Sequence, residues 1–180
     1  MNTLDHNILI DIKHHNHWGE AIVKKITACP DSFCIVNIGA SELRVGGVRP
    51  DRYDLFESFL KEIGLESLKR LNPLALVDIT FFDHSNICSE NDAILYNDIK
   101  TVLFPNGFDS DSNLIKQPPF QPIERKRLNQ ICDAVSLWCH VKYRTDTFVT
   151  RDGNFLKKSD ALKNKFGSNI VHPDLIATCI

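Results

Sequence analysis

Apolar residues recur at steps of three and four from Leu128 through Ile131, Val135 and Trp138 to Val141. That period predicts an amphipathic helix over Pro122 to Arg144. A polar stripe of Lys126, Asn129, Asp133, Ser136 and His140 runs beside it at the same steps, so Asp133 is expected near the edge of the buried face. The pattern then changes. DTFVT is a short apolar run of the kind found in buried parallel strands, and the turn RDGNF follows, with Asp152 just past the strand's carboxyl end.

The rest of the chain alternates in the same way. Met1 to Ile10 predicts a short strand running directly into a turn, LDHNILID, with Asp5 at the strand end. His14, His15 and His17 fall in a polar segment that reads as an exposed helix end or loop. Glu20 to Ile26 is helical and Pro30 stops it. Phe33 to Ile38, FCIVNI, predicts a second buried strand; GASELR after it opens a helix with Glu42 in the first turn. Pro50 to Leu71 reads as helical, broken at Gly64. Leu74 to Phe82 reads as a strand or extended segment. Ser89 with Asp92 resembles a capping box at the head of a helix reaching Phe104. Pro105 to Pro122 reads as a loop, Ser159 to Phe166 as a helix ended by Gly167, Asn169 to Val171 as a last strand, and HPDLIA as a terminal helix or tail. This order predicts an α/β fold with a mainly parallel sheet.

Composition changes the picture little. The 180 residues suit one domain with a proper core, and 43% hydrophobic with 24% charged residues is ordinary for a globular protein. The opening MNTLDHNILID is too acidic for a signal peptide and no apolar run is long enough to span a membrane, so a cytoplasmic location is expected. Six cysteines form no CxxC pair and read as reduced thiols. The net charge of −2 hides an asymmetry: residues 121–165 hold ten Lys/Arg against five Asp/Glu. A basic segment around a carboxylate pair suits an anionic substrate.

Asp5, Glu42, Asp133 and Asp152 therefore occupy comparable places. Three follow strands, and one lies on the helix that leads to the third such strand. In a parallel sheet these places converge at the carboxyl edge. Four carboxylates in one cleft repel unless cations neutralise them, and Mg²⁺ or Mn²⁺ are the natural hard ions for oxygen ligands. One or two such ions can activate a water for phosphodiester hydrolysis.

These segments together resemble the PIN-domain ribonucleases. LDHNILID is similar to that family's opening acid with an Asn two residues on, and IVNIGASEL to the strand and turn delivering the second acid. ICDAVSLWCHVKYRTDTFVTRDGNFLK is similar to the helix with the third acid, then the strand and a Thr-x-Asp turn; IVHPD is similar to the closing strand. Asp11 is a rival to Asp5 for the first acid, but the residues after it do not match. The stretch between Glu42 and Asp133 is longer than a minimal member needs, so residues 72–121 are read as partly an insertion in a single PIN-like domain of three α/β/α layers.

The resemblance implies a metal-dependent endoribonuclease with Asp5, Glu42, Asp133 and Asp152 as catalytic acids and Mg²⁺ or Mn²⁺ ligands. Asn7, Thr150 and Asn154 would support them. Arg125, Lys126, Arg127 and Arg151, with Lys142 and Arg144, would track the RNA backbone. It implies an RNA substrate and, if the chain is the toxin of a toxin–antitoxin pair, an antitoxin protein; a homodimer is compatible with it. The alternative is a catalytically silent PIN-like module that binds RNA or a protein. Each acid also has a purely structural role open to it: Asp5 as a helix cap, Glu42 answering a helix dipole, Asp133 paired with Lys126 or His140, and Asp152 as a turn former.

Overall fold

The structure, a computed structural model, describes residues 1–42, 53–77, 79–107 and 125–177. Its centre is a five-stranded, all-parallel sheet of very short strands: β1 (Asn2–Leu4), β2 (Phe33–Val36), β3 (Lys69–Leu71), β4 (Thr147–Val149) and β5 (Asn169–Val171). They lie in the order β3-β2-β1-β4-β5. Register is set along the chain, with Thr3 opposite Cys34 on one side and Phe148 on the other.

Alternation divides the strand side chains between two cores, as the pleat requires. Cys34, Val36, Leu71, Phe148 and Ile170 face one layer of helices, α5 (Glu90–Leu103), α6 (Arg125–Lys142), α7 (Gly153–Lys157) and α8 (Ser159–Phe166). Leu4, Phe33, Ile35 and Val149 face the other, α1 (His6–Lys13), α2 (His17–Ala28) and α4 (Asp54–Glu62). A short helix α3 (Gly39–Glu42) follows β2, and α9 (Pro173–Ala177) follows β5. The molecule is a three-layer α/β/α fold. No helix among the described residues is long and apolar enough to cross a membrane.

Several expectations change in detail. The chain after Asp5 is not a turn but α1, and the segment read as the tail of a helix before Leu71 supplies the edge strand β3, beyond the left-handed Gly64 (φ 71°). Residues 74–77 and 79–81 form turns, irregular chain and a single bridge from Leu74 to Asn86 rather than a strand, and a 3-10 turn follows over Phe82–His84. The capping box at Ser89 and the Gly167 stop (φ 71°) are present. On the polar stripe of α6, Asp133 lies at the edge of the buried face as expected, and Ser136 and His140 are buried outright. His140 spends its Nδ1 on the Thr145 hydroxyl at 2.6 Å, which satisfies an imidazole that burial holds neutral, its pKa lowered to about 4. Cys34, Cys132 and Cys139 are buried free thiols. The proposed loop lies outside the described residues from position 108 onward.

α1 and α2 approach so closely that a Cβ on Gly19 would stand 2.5 Å from the Asp11 carbonyl oxygen. Only glycine allows that contact. It brings the Asp11 carboxylate, buried at 2% exposure, to the Asn16 amide at 2.6 Å and to the Arg151 guanidinium.

Candidate active site

The strand order reverses direction at β1: β2 and β3 lie on one side, β4 and β5 on the other. Open α/β sheets bind ligands in the crevice outside the carboxyl ends of the strands at such a switch point. Asp5 leaves β1 there and Thr150 leaves β4 beside it, so the turn Thr150-Arg151-Asp152 faces the first turn of α1.

Asp5 is buried at 5% exposure and fully engaged. Its carboxylate accepts from the His6 N–H at 2.8 Å, from Asn7 Nδ2 at 2.7 Å and from the Thr150 hydroxyl at 2.6 Å. Thr150 Oγ1 in turn accepts from Asn7 Nδ2 at 3.0 Å and from the Asp152 N–H at 2.9 Å. Burial pushes Asp5 up to about 6 against the pull of these donors, and the Asp152 charge adds to the push. Asp5 and Asp152 are both helix caps: Asp152 accepts from the Asn154 N–H at 2.5 Å at the start of α7.

Glu42 arrives on α3, which is pinned where the Ser41 hydroxyl donates to the Ile79 carbonyl at 2.5 Å. Asp133 arrives on α6. From Ile131 to His140 every position of that helix is buried except Asp133, which keeps a partial opening. Burial raises the pKa of Glu42 well above the usual carboxylate value, and the charges of Asp5 and Asp133 raise it further. Asp133 is raised likewise, by burial first and then by Asp5 and Asp152. The four acids thus share one electrostatic neighbourhood. As they stand, no three His, Cys, Asp or Glu side chains among the described residues are close enough to hold one ion. The donor set itself, carboxyl groups of which Asp5, Glu42 and Asp133 are pushed towards the protonated form by burial first and by neighbouring carboxylates, fits a hard divalent cation, whose charge would oppose both effects.

The supporting and basic residues divide. Asn7 and Thr150 belong to the site. Asn154 touches the site through its backbone N–H, which donates to Asp152, while its side-chain amide donates to the Leu103 carbonyl at 3.2 Å and accepts from Lys158 Nζ at 2.6 Å. Arg151 is committed to buried Asp11 and lies over the Trp18 ring at 5.2 Å. Lys142 pairs with Asp92 at 2.6 Å. It and Arg144 sit at the amino end of the sheet, where Asp146 pairs with the Met1 ammonium. α6 spans 18 residues, about 27 Å, and overhangs strands about 10 Å long. Its first turn, with Arg125, Lys126 and Arg127, therefore reaches past the carboxyl edge, the side of the cleft.

Two neighbours carry no sequence signal of their own. His6, next to Asp5, is held neutral by burial at a pKa of about 4, and its Nδ1 has no hydrogen-bond partner among the described residues. Lys158 lies where the charge of Asp152 reaches it, with burial lowering its pKa. Comparison with known proteins gives no matching family model, no similar curated protein and no similar solved structure.

Proposed function

We propose that this chain is a PIN-type endoribonuclease that hydrolyses RNA phosphodiester bonds with Mg²⁺ or Mn²⁺. The observation that carries the reading is the gathering of Asp5, Glu42, Asp133 and Asp152 near the switch point of a parallel sheet, where the charge of Asp152 acts on Asp5, those of Asp5 and Asp133 on Glu42, and those of Asp5 and Asp152 on Asp133, each raising the affinity for protons. When bound, the ion supplies positive charge that activates water and steadies the leaving oxygen. The chain's own residues do the rest. Asp5 is held in one orientation by Thr150 and Asn7, and Glu42 and Asp133 come in from α3 and α6. Asp5, Glu42, Asp133 and Asp152 would hold the ion through their deprotonated carboxylates, so its binding would be favoured as pH rises. Arg125, Lys126 and Arg127 at the overhanging turn of α6 receive the phosphate backbone.

The test is cleavage of single-stranded RNA with and without Mg²⁺ or Mn²⁺. Asp133→Asn and Asp152→Asn should each lower the rate by about 100-fold or more while melting no lower than wild type. Cleavage that survives either change, or that needs no metal, overturns the reading. A second reading is a silent PIN-like module that binds RNA or protein, favoured by the capping duty that Asp5 and Asp152 already perform. Binding without metal-dependent cleavage identifies it. The narrower role of toxin, acting in the cytoplasm, is tested by suppression of the cleavage by a small partner encoded beside this chain.

A further inference from the structure

The segment after β3 carries an aromatic group that the acid cleft does not use. Tyr53 and His84 stack nearly parallel, centroids 3.6 Å apart at 14°, close to the spacing of about 3.4 Å between stacked bases. Phe82, two residues from His84, is 72% exposed. That exposure belongs to a constrained segment. Phe81 beneath it is buried and meets Tyr53 edge-on, the Ser85 hydroxyl donates to the Phe81 carbonyl at 2.7 Å, and the Asn86 N–H donates to the Pro73 carbonyl at 2.7 Å.

Two hydrogen bonds tie this group to the cleft. The Tyr53 hydroxyl donates at 2.8 Å to Asn37, which directly follows the carboxyl end of β2. The Ile79 carbonyl, three residues before Phe82, accepts from Ser41, the neighbour of Glu42. His84, with one face on Tyr53, is half-buried, and Phe82 two residues before it is exposed. A planar, polar-edged ring fits there. An apolar protein surface fits less well, since Asp83 and His84 interrupt the apolar side chains.

We propose that Phe82 and the His84–Tyr53 stack form a base-stacking subsite that seats one unpaired nucleobase of single-stranded RNA beside the acid cleft. The proposal rests on the ribonuclease reading for its ligand but not for its chemistry. Stacking on aromatic side chains is tolerant of base identity and contributes strongly per base, which would let the subsite hold a strand while the acids face its phosphates.

The experiment measures affinity of the full chain for a labelled eight-nucleotide RNA in EDTA, so that no cleavage enters. Phe82→Ala should weaken binding about ten-fold and Phe82→Trp should restore it. One correctly placed abasic nucleotide should weaken wild type as much as Phe82→Ala does, and the two changes together should not add. Unchanged affinity in Phe82→Ala, or full additivity at every abasic position, overturns the subsite, and the patch then falls to a protein partner. A wild type without affinity for the oligonucleotide overturns it too. Phe82-dependent binding in a protein that never cleaves keeps the subsite and removes the nuclease reading. Cleavage with Phe82-independent affinity does the reverse.

Discussion

The Thr150 hydroxyl donates to the Asp5 carboxylate at 2.6 Å, joining the carboxyl ends of two neighbouring parallel strands. This bond is the strongest of the pulls that hold the Asp5 pKa down against burial, and the same oxygen accepts from Asn7 and from the Asp152 N–H. Thr150→Val keeps the shape and removes all three bonds. It should cost about 2 kcal/mol of stability, since buried polar groups lose their partners, and should move the acid limb of any cleavage profile to higher pH. Thr150→Ser should restore both. Thermal melting and a pH–rate series for the three proteins check this, and a Val variant with an unmoved acid limb would contradict it.

Asp5 also makes a prediction about stability and pH. Its folded pKa, about 6, lies above the ordinary aspartate value of 3.8, so the folded protein binds more protons than the unfolded chain between those values. Stability from this group is therefore full below about pH 4 and is lost as pH rises through about 6. Asp5→Asn removes the titration. The stability difference, variant minus wild type, should grow between pH 4 and 7 by on the order of 3 kcal/mol. Mg²⁺, by neutralising the carboxylate, should shrink it. Urea unfolding of both proteins across that range, with and without Mg²⁺, measures the difference; a flat difference would mean that Asp5 titrates normally.

Arg151 should behave as a structural residue. Its guanidinium is the cationic partner of Asp11, whose side chain is only 3% exposed. Arg151→Ala leaves that carboxylate with the Asn16 amide alone. Breaking a buried pair from one side is costly, here about 2–3 kcal/mol because the arginine is itself a third exposed. The double variant Arg151→Ala, Asp11→Ala should recover part of it. RNA affinity per folded molecule should stay near wild type. A large loss of affinity without loss of stability would return Arg151 to the substrate path.

The first turn of α6 should carry the salt dependence instead. If Lys126 and Arg127 meet phosphates, replacing both with Gln weakens all RNAs about equally and flattens the salt slope by roughly one to two units. Lys142→Gln, at the far end of the same helix and paired with Asp92, should leave the slope alone. Affinity across a salt series decides between them. Equal slopes for all three proteins would remove the phosphate track from α6.

Local pattern was enough for the parallel α/β class, for the capping box at Ser89 and for the helix over α6. Each of these depends on residues near one another in the chain, where period and turn chemistry operate directly. β3 was not legible in this way. Its three residues, Lys69 to Leu71, are too few to show a period, and they become a strand only because the edge of β2 accepts them. The depth of the polar stripe on α6 was not legible for a related reason. Ser136 and His140 are polar by sequence, yet both are buried, His140 bonded to the Thr145 hydroxyl and set edge-on against Phe148. The basic segment read as one surface because charge is additive along a sequence. Folding sent Lys142 and Arg144 to the amino end of the sheet, Arg151 to Asp11, and left the turn at Arg125 on the side of the cleft. What the chain alone determined is which groups are present and which element carries each. Which of them meet was decided by the strand order, because reversal of direction at β1 sets Thr150 against Asp5 across 145 residues, a distance over which no local signal operates.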